Sequence, residues 1–451
     1  MSRNGSIGNL KAVLLIVFIA TLAPGAWAQH NYKSLYAFTG GADGSSPWAG
    51  LILDQAGNLY GTTPTGGSSD FPGGTVFKLT PNSDGSWTES VLYNFCSLTN
   101  CTDGAQPFGG LTFDQSGNLY GTAGSGGSGA FCSRQGGCGV VFKLTPHSDG
   151  SWTESVLSSF CSRTNCTDGV FPIGTLIFDQ AGNLYDMTVG GGIVAGPCGS
   201  GGCGVVFELM PHSDGSWTES VLHSFCSFTN CSDGFEPQSG VTFDAKGNLY
   251  GTAGAGGRSL SCNVPYGCGV VFKLTPSANG HWTDQVLHRF AGKDGDFPTG
   301  HVVFDPAGNL YSTTELGGDL SKCNGFGGCG AVFQLTLSAH GSWKEQVLYR
   351  FTGAKDGRQP HAGLIFDPAG NLYGTAGIGG KLSCGLGAGC GVVFKLAPNS
   401  KGGWKETVLQ YFANHPGAQP LGDLIFDAAG NLYGTTNGIS PTNGSVFEIT
   451  P

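Results

Sequence analysis

Charge and methionine are both scarce in this 451-residue chain: 12% of residues are charged and only three are Met. Past the N-terminus there is no capped run of Leu, Ala, Glu and Lys at helical spacing, which argues against a helical fold. A second apolar run of membrane length is missing too, so no membrane insertion is expected once the leader described below is removed. Basic residues are outnumbered, and the net charge of −10 disfavours DNA or RNA as a partner, because nucleic-acid binding rests on a cationic face. The chain also lacks a G-x-S-x-G elbow, a P-loop, an H-E-x-x-H pair and a D-x-D-x-D-G loop, the short signatures of several hydrolase, nucleotide and metal chemistries.

Glycine, phenylalanine and cysteine are abundant instead, at 80, 29 and 16 residues, a composition suited to short strands and tight turns. Residues 1–28 read as a secretory leader: Arg3 and Lys11 precede an apolar stretch from Ala12 to Ala23, and Ala26-Trp27-Ala28 offers small residues for cleavage before Gln29. Residues 29–451 then read as one domain. Export predicts a secreted, periplasmic or cell-surface protein, expected to be a monomer.

A repeat of about sixty residues organises the rest. The motif FDQSGNLYGT (Phe113 to Thr122) recurs seven times, with its tyrosine at Tyr60, Tyr120, Tyr185, Tyr250, Tyr311, Tyr373 and Tyr433. Each copy holds four strand-like runs separated by hairpin signals, the pattern of one propeller blade. The last copy ends at its third strand, Val446 to Thr450, while Tyr32 to Phe38 has the spacing of a fourth strand and precedes the first copy. A ring divides a repeat in this way to pair its two ends and remove an open edge. The expected fold is all-β: a seven-bladed β-propeller with four antiparallel strands per blade, the N-terminal strand completing the last.

The unit G-x-L-I-F-D-x-x-G-N-L-Y-G-T, followed by a Gly-Gly loop and G-V-V-F-K-L-T-P, resembles the GloVer tandem repeat of exported bacterial proteins. That resemblance spans nearly all of the chain after the leader and implies export and tandem repetition. It implies no catalytic activity.

Repeated residues call first for structural roles. Trp87, Trp152, Trp217, Trp282, Trp343 and Trp404 open fourth strands and are expected to pack between blades. Glu89, Glu154, Glu219, Asp284, Glu345 and Glu406 follow two residues later and read as edge-protecting charges. The seven aspartates that begin each D-x-x-G-N turn, Asp54, Asp114, Asp179, Asp244, Asp305, Asp367 and Asp427, read as turn acceptors rather than calcium ligands.

All sixteen cysteines fall into close pairs, read as eight local disulfides. Three pairs lie between blades: Cys96 with Cys101, Cys161 with Cys166, and Cys226 with Cys231. Five lie between second and third strands: Cys132 with Cys138, Cys198 with Cys203, Cys262 with Cys268, Cys323 with Cys329, and Cys384 with Cys390. Zinc is disfavoured because no nearby histidine completes a tetrahedral set, and neither metal nor cofactor is expected. In a four-stranded meander every one of these loops belongs to the same face, leaving tight turns on the other. Ligand contact is therefore expected on the stapled face.

Each first strand is preceded there by a proline, and the position after it varies: Trp48, Phe108, Ile173, Gln238, Thr299, His361 and Leu421. Two positions on stand Gly50, Gly110, Thr175, Gly240, His301, Gly363 and Asp423. Trp48, Phe108, Gln238, His301, His361 and Asp423 are the candidate binding residues at the channel mouth, with no catalytic residue assigned. The expected function is a noncatalytic scaffold that binds a glycan, envelope component or protein partner. The alternative is a carbohydrate-active hydrolase or lyase using His301, His361 and Asp423; side chains converging within about 4 Å would favour it, and a channel closed by glycine and aliphatic residues would favour binding.

Overall fold

In the computed structural model the described residues are 31–68, 73–132, 137–194, 196–259, 262, 267–323, 325, 327–384, 387–413, 417–440 and 442–450. The leader and its cleavage point lie outside them. Seven antiparallel sheets follow one another along the chain, and among the described residues no helix is long and apolar enough to cross a membrane. We number the blades 1 to 7 by the chain order of their first strands.

Blade 4 shows the common plan: Thr242–Phe243, Leu249–Ala253, Val270–Pro276 and Trp282–Arg289, each paired with the next. The turn between its first two strands is built by Asp244. Oδ1 accepts the N–H groups of Lys246 and Asn248, and Oδ2 accepts Asn248 Nδ2 and the Tyr250 hydroxyl, all within 3.1 Å. Gly247 beside it has φ +80°, a conformation glycine adopts without strain. The same cradle recurs at the other six aspartates, where the motif tyrosine again donates to the carboxylate. This explains why D-x-x-G-N-x-Y is copied as a block.

The motif tyrosine also packs against the neighbouring blade. Tyr185 meets Phe243 and Trp282 edge-on, at 5.1 and 6.2 Å. Tyr120, Tyr250 and Tyr311 make the equivalent pair of contacts in their own seams. The repeated tryptophans are thus inter-blade packing residues. Deeper in each seam a phenylalanine ending one fourth strand meets the buried phenylalanine of the next blade's third strand, as in Phe225–Phe272 at 5.2 Å. Phe38–Phe77 at 5.0 Å and Phe412–Phe447 at 5.1 Å continue that series through both seams of blade 7.

Closure follows the sequence expectation within a residue. Asn31–Ala37 pairs antiparallel with Ser445–Thr450, from Asn31 opposite Thr450 to Ala37 opposite Ser445.

All eight disulfides have the predicted partners, and no cysteine is free. Between blades, Cys96 bonds Cys101, Cys161 bonds Cys166 and Cys226 bonds Cys231. Each of these three pairs frames a single 3-10 turn that ends on its second cysteine, at Thr99–Cys101, Thr164–Cys166 and Thr229–Cys231. Cys101, Cys166 and Cys231 also have positive φ, between 47° and 52°, so the short loop is tightly wound as well as cross-linked. Reading the cysteine spacing gave the partners but not this turn, because its αL residues are asparagine and cysteine and no glycine marks them. Within blades, Cys132 bonds Cys138, Cys198 bonds Cys203, Cys262 bonds Cys268, Cys323 bonds Cys329 and Cys384 bonds Cys390.

Three readings need correction. The first of the four strand-like runs, which in the second copy spans Gly110 to Asp114, pairs over two residues only, Thr112–Phe113, because residues before it line the channel and have no ladder partner. Blade 3 carries an additional short strand, Val170–Pro172, against the end of Leu184–Gly190. The fourth-strand acids are not exposed edge charges. Glu89, Glu154, Glu219, Glu345 and Glu406 are half-buried, each with Oε1 enclosed and without a hydrogen-bond partner, because each leans into the seam toward the preceding blade.

Candidate binding site at the channel mouth

The proline before each first strand is itself preceded by a residue of positive φ: Ser46, Gln106, Phe171, Glu236, Phe297, Gln359 and Gln419, between 55° and 62°. None is glycine, so each is held in a costly conformation by its surroundings. The holding contact runs between blades. The N–H groups of Phe171, Glu236, Phe297, Gln359 and Gln419 donate to the carbonyls of Cys138, Cys203, Cys268, Cys329 and Cys390, at 2.8–3.1 Å. The second cysteine of each strand-connecting loop therefore anchors the next blade's channel rim. The two kinds of cysteine loop also meet: sulfurs of Cys138, Cys161 and Cys166 lie within 4.8 Å of one another, as do those of Cys198, Cys203 and Cys226. Reading each pair alone missed that two pairs stack, and in both places the sulfurs are committed to disulfides.

Inside this rim is a cavity of about 610 Å³. All six candidate residues line it, together with Ile173, Thr299 and Leu421. Trp48 reaches across the mouth: its ring meets Phe108 at 5.9 Å and His361 at 5.4 Å, and Phe108 meets Phe171 at 5.9 Å. One side of the mouth is thus an aromatic arc. Gln238 and Thr299 stand on the other, where the Thr299 hydroxyl donates to the His361 carbonyl at 3.1 Å.

The ring below it is governed by space. In blade order it reads Gly50, Gly110, Thr175, Gly240, His301, Gly363, Asp423, so no two neighbouring blades both carry a side chain. A side-chain carbon on Gly363 would overlap the His301 ring, and one on Gly50 would stand 2.9 Å from Asp423 Cβ. His301 lies across Gly363 and brings Nδ1 to 3.2 Å from Asp423 Oδ2, while the Gly363 N–H donates to Asp423 Oδ1 at 2.7 Å. The two side chains remain 27% and 34% exposed, which leaves both within reach of a ligand.

Burial opposes charge on both partners and is outweighed by their attraction, so the His301 pKa is raised and the Asp423 carboxyl is held below its ordinary range. His361 has no such partner. Burial pushes it down to about 4, with Asp423 offsetting only part, and it is neutral at neutral pH. His301 and Asp423 thus form a pair, and among the described residues no set of three metal-ligand atoms within 4.8 Å forms here.

Blade 3 departs from the repeat directly behind this wall. Asp186 replaces the usual glycine and is fully buried, with neither carboxyl oxygen well hydrogen-bonded. Burial lifts its pKa far above the carboxylate range, and the Met187 N–H offsets only part. Met187 in turn replaces the threonine whose hydroxyl in the other six blades donates to a main-chain carbonyl of the next, as Thr122 does to Gly174 at 3.1 Å and Thr252 to Gly300 at 3.2 Å. The 3/4 seam lacks that clasp. Met187 is itself buried in the hydrophobic core, so only Asp186→Gly is expected to stabilise the protein, by about 1–2 kcal/mol, through removal of an unsatisfied buried carboxyl. A lower thermal midpoint for this variant would refute this.

The Gloeobacter/Verrucomicrobia repeat matches residues 20–193 and 260–451. The chain belongs to the Gloeobacter/Verrucomicrobia repeat family. No curated protein matches it. A solved structure of a luciferin-regenerating enzyme is similar to this member at 14% identity and a TM-score of 0.39, covering 76% of this chain and 90% of that one. That likeness is too slight to inform function. Eight disulfides fit this Gloeobacter/Verrucomicrobia repeat protein to an oxidising environment.

Proposed function

We propose that this protein is an exported, noncatalytic propeller that holds the end of a glycan chain in the channel mouth of its stapled face. The cavity of about 610 Å³ carries the reading, since it falls within the usual range for a small-molecule site. Trp48 and Phe108 offer apolar faces for a sugar ring, and Gln238, His301 and Asp423 offer hydrogen-bonding groups for its hydroxyls. The leader-like residues 1–28 support delivery to the envelope or beyond it.

The second reading, a carbohydrate-active hydrolase or lyase, has one observation in its favour, the His301–Asp423 pair. Glycosidases commonly employ two carboxyl groups flanking the scissile bond. Asp423 is the sole acidic residue among those lining the cavity, which favours binding over hydrolysis.

A glycan-array screen of the purified protein tests the proposal. It is expected to find a bound class, with Trp48→Ala weakening binding at least tenfold while leaving the thermal midpoint within a few degrees. A screen with no hit, or hits indifferent to Trp48, would defeat it. Cleavage of an array glycan would shift the assignment to the enzyme.

A further inference from the structure

Around the outer rim, consecutive blades meet through a repeated polar contact. An aspartate in the connection between blades accepts a bond from the fourth strand of the blade before it: Tyr36 to Asp43 at 3.0 Å, Tyr93 to Asp103 at 2.9 Å, Tyr349 to Asp356 at 3.0 Å. At two successive seams histidine takes the place of tyrosine. His288 Nε2 lies 3.0 Å from Asp294 Oδ2, and His223 Nε2 lies 3.4 Å from Asp233 Oδ2. The fourth-strand acid of the following blade completes each group: Glu345 at the 4/5 seam, Asp284 at the 3/4 seam.

These two seams differ from the tyrosine seams in ligand chemistry. A phenol hydroxyl there donates its proton to the aspartate, whereas neutral imidazole offers a lone pair to a metal. Ligand atoms of His288, Asp294 and Glu345 all lie within 4.8 Å of one another, and one Glu345 oxygen is enclosed without a partner. At the 3/4 seam both Asp284 oxygens and His223 Nε2 are enclosed without a hydrogen bond, but His223, Asp233 and Asp284 do not bring three ligand atoms within 4.8 Å of one another, and Asp233 Oδ2 already accepts the Ser227 N–H and hydroxyl. A first-row divalent ion bound at about 2.1 Å needs neighbouring ligand atoms about 3.0–3.4 Å apart, and the two histidine–aspartate separations fall there already. Arg350, the nearby cation, directs Nε to the Lys293 carbonyl, although its charge still acts on Glu345. Two carboxylates and a neutral imidazole balance a double positive charge, and the side chains of His288 and Asp294, 19% and 22% exposed, leave room for water to complete the shell.

We propose that the 4/5 seam is a site for a first-row divalent cation, held by His288, Asp294 and Glu345. The ion bridges two blades at the rim, where the strand ladders do not connect them. One imidazole and two carboxylates suit zinc or manganese better than calcium. Sequence reading missed the site because it draws its third ligand from the following blade, more than fifty residues beyond the histidine.

The test uses the full protein with disulfides intact, purified without a histidine tag, stripped with a chelator and titrated with Zn²⁺ in a calorimeter at neutral pH. Saturable binding of one equivalent is expected, with a zinc-dependent rise in thermal midpoint. His288→Tyr abolishes it. Because tyrosine serves at three other seams, this variant should keep the zinc-free midpoint and near-ultraviolet spectrum of the parent. Absence of saturable binding, or binding that survives His288→Tyr, would overturn the site.

Discussion

Removal of residues 31–38 is expected to abolish the cooperative thermal transition. Those residues supply the outer strand of blade 7, paired along its length with Ser445–Thr450, and they bury Leu35 and Phe38 in a cluster shared with blade 1. Losing two buried side chains together with the packing of Tyr32 and Tyr36 forfeits about 6–10 kcal/mol, comparable to the whole stability of an ordinary domain. It also exposes Val446, Phe447 and Ile449 on an open edge, which invites pairing between chains. Circular dichroism and calorimetry on the truncated protein would show early, noncooperative melting and aggregation. A midpoint within a few degrees of the intact chain would mean that the ring does not depend on this strand.

Stability should also fall as pH rises from 5 to 8, opposite to the trend for a protein whose carboxyl groups are mainly salt-bridged. Burial in the seams, aided by Asp43, Asp103, Asp168 and Asp356 on the preceding blades, pushes Glu89, Glu154, Glu219 and Glu406 up to about 7; Arg163 opposes the shift at Glu219. These groups bind protons more tightly folded than unfolded, so their contribution is full below the unfolded value near 4.3 and is lost as pH climbs through 7. Solvent screening at half-exposed positions reduces each to about 1 kcal/mol, or about 4 kcal/mol for the four seams. The turn aspartates act at the other end. Asp54, Asp114, Asp244, Asp367 and Asp427 are lowered, as burial is outweighed by the bonds each accepts, and their contribution disappears as pH falls below the ordinary carboxylate range. Maximum stability is expected between about pH 4.5 and 6. Glu→Gln at all four seams should flatten the alkaline limb, and thermal midpoints that rise from pH 5 to 8 would contradict this account.

Much of the architecture was legible because each repeated residue answers one local demand seven times. Asp244 to Tyr250 form a self-contained turn, so spacing alone located every hairpin of that type. Ring closure was legible because Tyr32 to Phe38 supplies what the last copy lacks. The channel-mouth positions stood out where repetition relaxed, and the alternation of glycine with Thr175, His301 and Asp423 is visible in the sequence once the blades are placed in a circle. Contacts between blades were less accessible. The fourth-strand acids looked like surface charges because their burial comes from the neighbouring copy, and the disulfide pairs looked isolated because stacking joins loops some twenty residues apart. His361 and His301 stand at different positions of the unit, one directly after the proline and the other two residues further on, and only His301, in the glycine-rich ring, crosses Gly363 to reach a carboxylate.

The crystal structure of the protein with a glycan selected from the array tests the central claim most directly. The account predicts a sugar ring in the stapled-face mouth, one face against Trp48 and a hydroxyl within hydrogen-bonding distance of His301 or Asp423. A sugar bound on the opposite face or along the outer rim, with the mouth empty, would contradict it.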